Sequence, residues 1–319
     1  MEAICSLCNK PLRIKLIRNI KRHDKIYDVY LCTECMVGST VPTPLIEDLS
    51  RLYLSGSYRL YNGTRFYSAI EYFIYNFRLL RKRRIQKYVK RGHILDIGCG
   101  RGLFLNVMRK DDWGVTGVEF NRETALYASE TYGIDVITET SLDELAGKSF
   151  DVITINHVLE HAYSPKELIN RCKKLLRKGG LLVIAVPNIF SLQASVGKRV
   201  WFHLDLPYHL HHFSEEGLST LLEKNSFNIL KVKQFDLEYN PFGWLQTLLN
   251  LSCITENLLY NLLKSPELRK KEISNVKKWD LILTFALLPL YVPLSLILSV
   301  FESLFLKRGG TIEVYAVKE

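Results

Sequence analysis

The chain has too little cysteine for a disulfide framework. Seven cysteines in 319 residues exclude a small secreted scaffold built on disulfides and point to reducing, cytoplasmic surroundings. The opening Met1-Glu-Ala-Ile-Cys-Ser6 lacks a basic stretch followed by an apolar one, so no signal peptide is expected. Internal repeats and low-complexity tracts are missing. Acids are in deficit, 33 Asp and Glu against 43 Lys and Arg, for a formal charge of +10. A disordered chain is excluded by 47% hydrophobic and only 24% charged residues. The length fits about two domains with a real core. Mean hydropathy is +0.01, high for so basic a chain. The cause is one uncharged block, Leu281 to Phe301.

From His93 the chain alternates short apolar runs with helical stretches. Residues 94–97, 115–118, 135–137, 152–155 and 181–186 read as strands, with helices over 104–109, 122–132 and 165–176 between them. This alternation predicts an α/β fold with a parallel sheet. Ser214 to Lys224 reads as a helix with Ser214 as N-cap, then 227–235 as a strand and 311–317 as the last one. Before this region, Val41-Pro-Thr-Pro44 breaks the chain. A stretch with Tyr53, Tyr58, Tyr61 and Tyr67 follows, and 65–91 turns helical.

Ile94-Leu-Asp-Ile-Gly-Cys-Gly-Arg-Gly102 is the most informative segment. A buried strand ends at Asp96, and a Gly-x-Gly-x-Gly turn opens a helix whose N-terminus favours a negative group. The spacing differs from the dinucleotide fingerprint Gly-x-Gly-x-x-Gly. A second strand, Val115-Thr-Gly-Val-Glu119, ends in an acid that can hold two ribose hydroxyls. A third, Asp151-Val-Ile-Thr-Ile-Asn156, ends at the same sheet edge. On these residues, over about 92–236 and 309–319, the chain resembles the class I S-adenosylmethionine-dependent methyltransferases. The resemblance implies a Rossmann-like seven-stranded sheet of order 3-2-1-4-5-7-6, its last two strands an antiparallel pair. It implies S-adenosylmethionine as cofactor, with Asp96, Gly98, Cys99, Gly100 and Gly102 around its methionine part and Glu119 on its ribose. The adenine is then expected near Phe120 and Thr140-Ser-Leu142, and Asn156 at the cofactor edge. Lys178-Gly-Gly-Leu-Leu-Val-Ile-Ala-Val-Pro187 looks like the family's turn into its fifth strand.

Asn156-His-Val-Leu-Glu-His161 follows the fourth strand, where substrate would sit. His157, Glu160 and His161 lie at i, i+3 and i+4, one face of a helical turn, which suits a general base or a divalent metal. The segment resembles the Val-Leu-Glu-His stretch of ubiquinone-biosynthesis O-methyltransferases. Some of those carry Glu where His157 stands and use Glu, Glu and His on a metal. Tyr208-His-Leu-His-His-Phe-Ser214 adds His209 and His212, and resembles a segment of methyltransferases acting on cell-surface glycans and small molecules. An imidazole titrates near neutrality and can take a hydroxyl proton. The candidate catalytic groups are therefore His157, Glu160, His161, His209 and His212.

Cys5-x-x-Cys8 and Cys32-x-x-Cys35, with 23 residues between them, have the spacing of a four-thiolate zinc ribbon, with iron as the competing metal. With no open position that site would be structural. Cys99, Cys172 and Cys253 stand alone. Eight basic residues and no acid occupy 78–91. Such a run can meet nucleic acid, but on a helix it is more often a solvated face.

The 21-residue block Leu281–Phe301 is long enough to cross a bilayer, and Pro289 and Pro293 sit in its middle. Ahead of it, 242–263 reads as an amphipathic helix. Gln246, Asn250, Asn257, Asn261 and Lys264 form its polar stripe, a pattern that suits a membrane interface. The insertion joins neighbouring antiparallel strands, so both its ends must lie on one side. Residues 264–278 carry Lys264, Arg269, Lys270, Lys271, Lys277 and Lys278 against Glu267 and Glu272. The positive-inside tendency keeps such a segment in the cytoplasm. These points predict a re-entrant hairpin bent at the prolines, on the cytoplasmic face of a membrane.

The expected organisation is a zinc ribbon (1–40), a linker with N-terminal helices (41–91), a methyltransferase core (92–240), an amphipathic helix with a membrane hairpin (241–308) and a last core strand (309–319). The expected activity is methylation, foremost of a hydroxyl, on a membrane-associated or lipid-linked small molecule or glycan. An RNA methyltransferase with a zinc ribbon and a sugar C-methyltransferase are the alternatives. Nucleic acid is disfavoured because Asn156-His-Val-Leu replaces the Asn/Asp-Pro-Pro-aromatic motif of base-amino enzymes.

Overall fold

The computed structural model describes residues 3–22, 24–55, 66–138, 142–264, 269–270, 273 and 276–319. Tyr58, Tyr61, Thr140, Ser141, Glu267, Lys271 and Glu272 lie outside the described residues, as does the side chain of Tyr53.

The centre is a seven-stranded sheet. In chain order its strands are β4 (His93–Ile97), β5 (Gly114–Val118), β6 (Asp135–Ile137), β7 (Phe150–Asn156), β8 (Leu176–Pro187), β10 (Phe227–Lys233) and β11 (Thr311–Lys318). They are ordered β10-β11-β8-β7-β4-β5-β6, the expected 3-2-1-4-5-7-6 read from the other edge. β6, β5, β4, β7 and β8 are parallel. β11 runs antiparallel to both β8 and β10, as the last pair should.

The central strands read as nearly unbroken apolar runs because both sheet faces are covered. Leu95, Ile97, Ile153, Ile155, Leu182 and Ile184 point to one face, into a core shared with α5 (Pro165–Leu175) and α7 (Glu215–Glu223). Ile94, Val152, Leu181 and Val183 alternate to the other, against α2 (Ser68–Ile85) and α3 (Leu103–Arg109). The helices start where their caps stand. Asn121 caps α4 (Arg122–Tyr132), Ser164 caps α5, and Ser214 caps α7 by accepting from the Gly217 N–H at 2.9 Å.

The N-terminal module forms a second sheet, β1 (Ile14–Arg22), β2 (Lys25–Leu31) and β3 (Val37–Val41), completed by β9 (His211–Phe213). Gly38 pairs with His212, and a Cβ on Gly38 would stand 3.0 Å from the His212 Cβ. The ribbon thus shares a sheet with the histidine segment. The short helices α1 (Ile46–Ser55) and α6 (Leu192–Gly197) complete this side.

Two expectations about the insertion are corrected. Residues 242–263 do not form one interfacial helix. They split into α8 (Asn240–Leu251) and α9 (Leu258–Leu263), and the polar stripe turns inward. Gln246 Nε2 donates to Asn250 Oδ1 at 2.9 Å, Asn250 Nδ2 donates to Asn257 Oδ1 at 3.0 Å, and Gln246 Oε1 accepts from the Tyr260 N–H. Polar side chains that satisfy one another can be buried, and here the leucines cover them. Nor does 281–301 bend into a hairpin. It lies within one helix, α10 (Lys278–Leu304), 27 residues or about 40 Å long. Both prolines sit on its exposed side, and Pro293 lacks the N–H that would pair with the Pro289 carbonyl. The opposite stripe, Thr284, Ser295, Ser299 and Glu302, is buried, and α10 lies against α8. That packing carries the helix past its two missing bonds. The Glu302 carboxylate accepts from the Gln193 side chain and from the Gly310 N–H, which ties the helix end to the start of β11.

Candidate active site

The carboxyl ends of β4, β5 and β7 meet at one edge, where open α/β sheets bind their ligands. The loop after β4 is tied to β5 by two bonds, Gly98 N–H and Cys99 N–H to the Val118 carbonyl at 2.8 and 3.0 Å. Gly98, Gly100 and Gly102 all have φ between 55° and 73°. A Cβ on Gly98 would lie 2.3 Å from Val158 Cγ2, whereas one on Gly100 would meet nothing within 4 Å. Gly98 is thus required by packing, and Gly100 faces open space.

Glu119, 3% exposed, accepts from the Gly100 N–H at 2.9 Å and from the Asn121 N–H at 3.0 Å. Asp96 accepts from the Thr154 hydroxyl at 2.5 Å, and burial pushes its pKa up to about 6 against the pull of Arg81 and Arg78. Both polar atoms of the Asn156 side chain are buried without a hydrogen-bond partner. Leu142 is buried and Phe120 is 54% exposed. An open backbone cradle, a carboxylate and an unsatisfied amide fit the nucleoside and amino-acid parts of S-adenosylmethionine. Cys99 sits below the loop, where its sulfur would be 2.6 Å from a Cβ on Gly117.

The basic run of 78–91 is a solvated face only in part, at Arg83, Lys87, Lys90 and Arg91. Arg78 makes a two-point pair with Glu238 at 2.5 and 2.9 Å, Arg84 meets Asp236 and Glu313, and Lys82 meets Asp111. In addition Arg101 of the glycine loop pairs with Glu71 on α2. Acids distant in sequence thus pair with Arg78, Lys82 and Arg84.

Next to this edge the histidines converge on Glu160. Glu160 is 1% exposed, and neither of its carboxylate oxygens has a hydrogen-bond partner. The nearest basic nitrogens are His157 Nδ1 at 3.5 Å and His209 Nε2 at 3.9 Å. Burial raises its pKa, but the three imidazoles of His157, His161 and His209 outweigh burial and bring it down to about 2. His161 Nδ1 lies 2.9 Å from the Tyr208 carbonyl and its ring 4.7 Å from that of His209. The ligand atoms of Glu160, His161 and His209 lie within 4.8 Å of one another, a carboxylate and imidazole set that suits a divalent cation.

His212 departs from the group. Its Nε2 is 3.0 Å from the Thr40 hydroxyl, which donates to the His209 carbonyl at 2.6 Å, and burial lowers its pKa well below the imidazole range. It bridges the neighbouring strands β3 and β9 of the second sheet, with its ring 6.3 Å from that of His209. Three cluster members were not anticipated. Tyr239 packs on His157 at 3.9 Å, His203 stacks at 6.5 Å, and Asp205 stands 3.8 Å from His209. Burial pushes His203 down to about 3. A run of four histidines in ten residues, 203–212, was the available signal.

In the ribbon, Cys5 and Cys35 sulfurs are 3.5 Å apart, Cys8 and Cys32 3.5 Å, and Cys32 and Cys35 3.4 Å. Ideal tetrahedral thiolate zinc has sulfurs about 3.8 Å apart.

A family described as a methyltransferase domain matches residues 70–232. A ubiquinone biosynthesis O-methyltransferase of Caulobacter vibrioides is 37% identical over 103 residues, 30% of this chain and 40% of that protein. Another, of Cereibacter sphaeroides, is 30% identical over 165 residues, 47% of this chain and 65% of that one. The chain thus matches between two fifths and two thirds of the length of these curated relatives. Among solved structures, a SAM dependent methyltransferase from Archaeoglobus fulgidus superposes with TM-score 0.46 at 22% identity, over 77% of this chain and 99% of that one.

Proposed function

The chain belongs to the methyltransferase-domain family, and from that premise we propose that it is an S-adenosylmethionine-dependent methyltransferase that methylates a hydroxyl group of a membrane-associated molecule. The observation that carries the membrane half is the outer face of α10. Trp279, Phe285, Leu290, Ile297 and Leu304 are between 58% and 76% exposed along about 40 Å of helix. Lys277 and Lys278 precede this face, and Lys307 and Arg308 follow it. A large apolar surface rimmed by positive charge suits an anionic bilayer on which the helix lies.

For the chemistry, S-adenosylmethionine supplies a methyl group on a positively charged sulfur. Asp96, the glycine loop and Glu119 would hold it, and Asn156 would offer its amide beside it. His209, or His157, takes the acceptor proton. Glu160 stabilises the imidazolium that forms, as a buried carboxylate does for its histidine partner. Cys5, Cys8, Cys32 and Cys35 would hold zinc, which would keep β1 to β3 in place.

Against the RNA alternative, two of the α2 arginines, Arg78 and Arg84, are paired with Glu238, Asp236 and Glu313. Labelled S-adenosylmethionine is to be incubated with the protein and a crude cell extract, and the products split between total RNA and organic solvent. Label in the organic phase supports the proposal; label in RNA defeats it.

A further inference from the structure

A cavity of about 280 Å³ lies between the ribbon and the core, apart from the glycine loop. Leu12 and Val41 of the ribbon side and Leu210 of the core side give it apolar walls, and Thr43 stands at its edge. Ser39 and His211 also line it, and they are paired residues on the adjacent strands β3 and β9. Both are buried, His211 to 4% exposure, and both present an atom without a hydrogen-bond partner, Ser39 Oγ and His211 Nδ1. Two neighbouring unsatisfied polar atoms at one wall of a cavity mark a place where a ligand or water completes them.

The chemistry of the lining restricts the ligand. None of its residues is charged, so an ionic ligand would lose hydration without a partner. A neutral imidazole offers one donor and one acceptor nitrogen, and a serine hydroxyl can both donate and accept. An unpartnered imidazole nitrogen beside an unpartnered serine hydroxyl matches a hydroxyl group, which can bond to both at once. Pockets for drug-sized ligands begin near 300 Å³, so this one has room for about one ring.

We propose that the cavity between ribbon and core binds a small uncharged ring compound through one hydroxyl group. The ring is aromatic or saturated; the hydroxyl is the shared chemistry. The ribbon then contributes half of a binding site as well as a scaffold.

The test uses the full chain with zinc, and saturation-transfer NMR with three probes: phenol, methyl β-glucopyranoside and fluorobenzene. Phenol or the glucoside should bind, and whichever does identifies the ring type. Fluorobenzene, which has no hydroxyl, should bind about tenfold more weakly than the better probe, the worth of one buried hydrogen bond. His211→Phe should weaken that probe by about the same factor. Thr43→Trp, at an exposed position, should block it without disturbing the core. Calorimetry with S-adenosylmethionine runs in parallel and should be unchanged in both variants, which separates failure of this site from failure of the methyltransferase reading. The proposal is overturned if neither hydroxylated probe binds, if fluorobenzene binds as well as they do, or if Thr43→Trp leaves their binding intact.

Discussion

Alanine at Gly100 should damage cofactor binding more than stability, and alanine at Gly98 the reverse. Both glycines are left-handed, with φ of 55° and 73°. A side chain in that region costs about 1–2 kcal/mol. At Gly100 nothing else is added, since its Cβ meets no protein atom within 4 Å. At Gly98 the Cβ would be 2.3 Å from Val158 Cγ2. Forcing that methyl aside adds about 1–3 kcal/mol, for a total of roughly 2–5. The space before Gly100 is where the backbone approaches the cofactor, so its Cβ should weaken S-adenosylmethionine by about 10- to 100-fold, or 1–3 kcal/mol. Urea denaturation measures the first quantity and calorimetry the second. Val158→Ala should restore part of the stability lost in Gly98→Ala and none of the affinity lost in Gly100→Ala. If Gly100→Ala binds S-adenosylmethionine as the natural chain does, the loop is not the cradle assigned here.

Asp96 has a pKa raised by burial from 3.8 to about 6. The folded chain therefore holds this proton more tightly than the unfolded one. The penalty is full above pH 6, up to about 3 kcal/mol, and disappears as pH falls toward 3.8. Asp96→Asn should accordingly be more stable at pH 7, lose that advantage near pH 4 in urea titrations, and bind S-adenosylmethionine more weakly. Cys32→Ser or exhaustive chelation should remove one zinc per chain by elemental analysis and abolish hydrogen-exchange protection in β1 to β3. Because β3 pairs with β9 and Thr40 holds the His209 carbonyl, methyl transfer should fall as well; an unchanged rate without metal would argue that the ribbon is separate. Leu290→Glu with Ile297→Glu should abolish co-sedimentation with anionic vesicles while leaving the melting temperature nearly unchanged, since both positions are exposed.

The sheet was legible because its signals are local. Ile94–Ile97, Val152–Ile155 and Leu181–Val186 are apolar on both faces, and Asn121, Ser164 and Ser214 mark helix starts within one residue. The strand β9 was not legible. His211-His-Phe213 has no alternation, and its pairing partner Val37–Ser39 lies more than 170 residues away. The same distance hid the fate of the basic run, whose acids Asp236, Glu238 and Glu313 lie 152 to 229 residues further on. In α10 the two prolines suggested a bend. What decides otherwise is on the other side of the helix, where Thr284, Ser295, Ser299 and Glu302 are buried. The polar stripe of α8 was seen correctly as a stripe but given to the wrong solvent, because a pattern of Gln and Asn does not tell water from a satisfied interior. At the sheet edge, His157, Glu160, His161 and His209 were anticipated as neighbours and do converge. Tyr239, His203 and Asp205 join them only through the folded chain.

The central claim is hydroxyl methylation at a membrane. Its most direct test is to incubate the full chain with S-adenosylmethionine carrying a carbon-13 methyl group and a total membrane fraction, extract the product into organic solvent, and read its methyl carbon by NMR. An oxygen-bound methyl in the lipid phase, dependent on His209 or His157, is the expected result. A methyl bound to carbon or nitrogen, or label found only in water-soluble material, would contradict it.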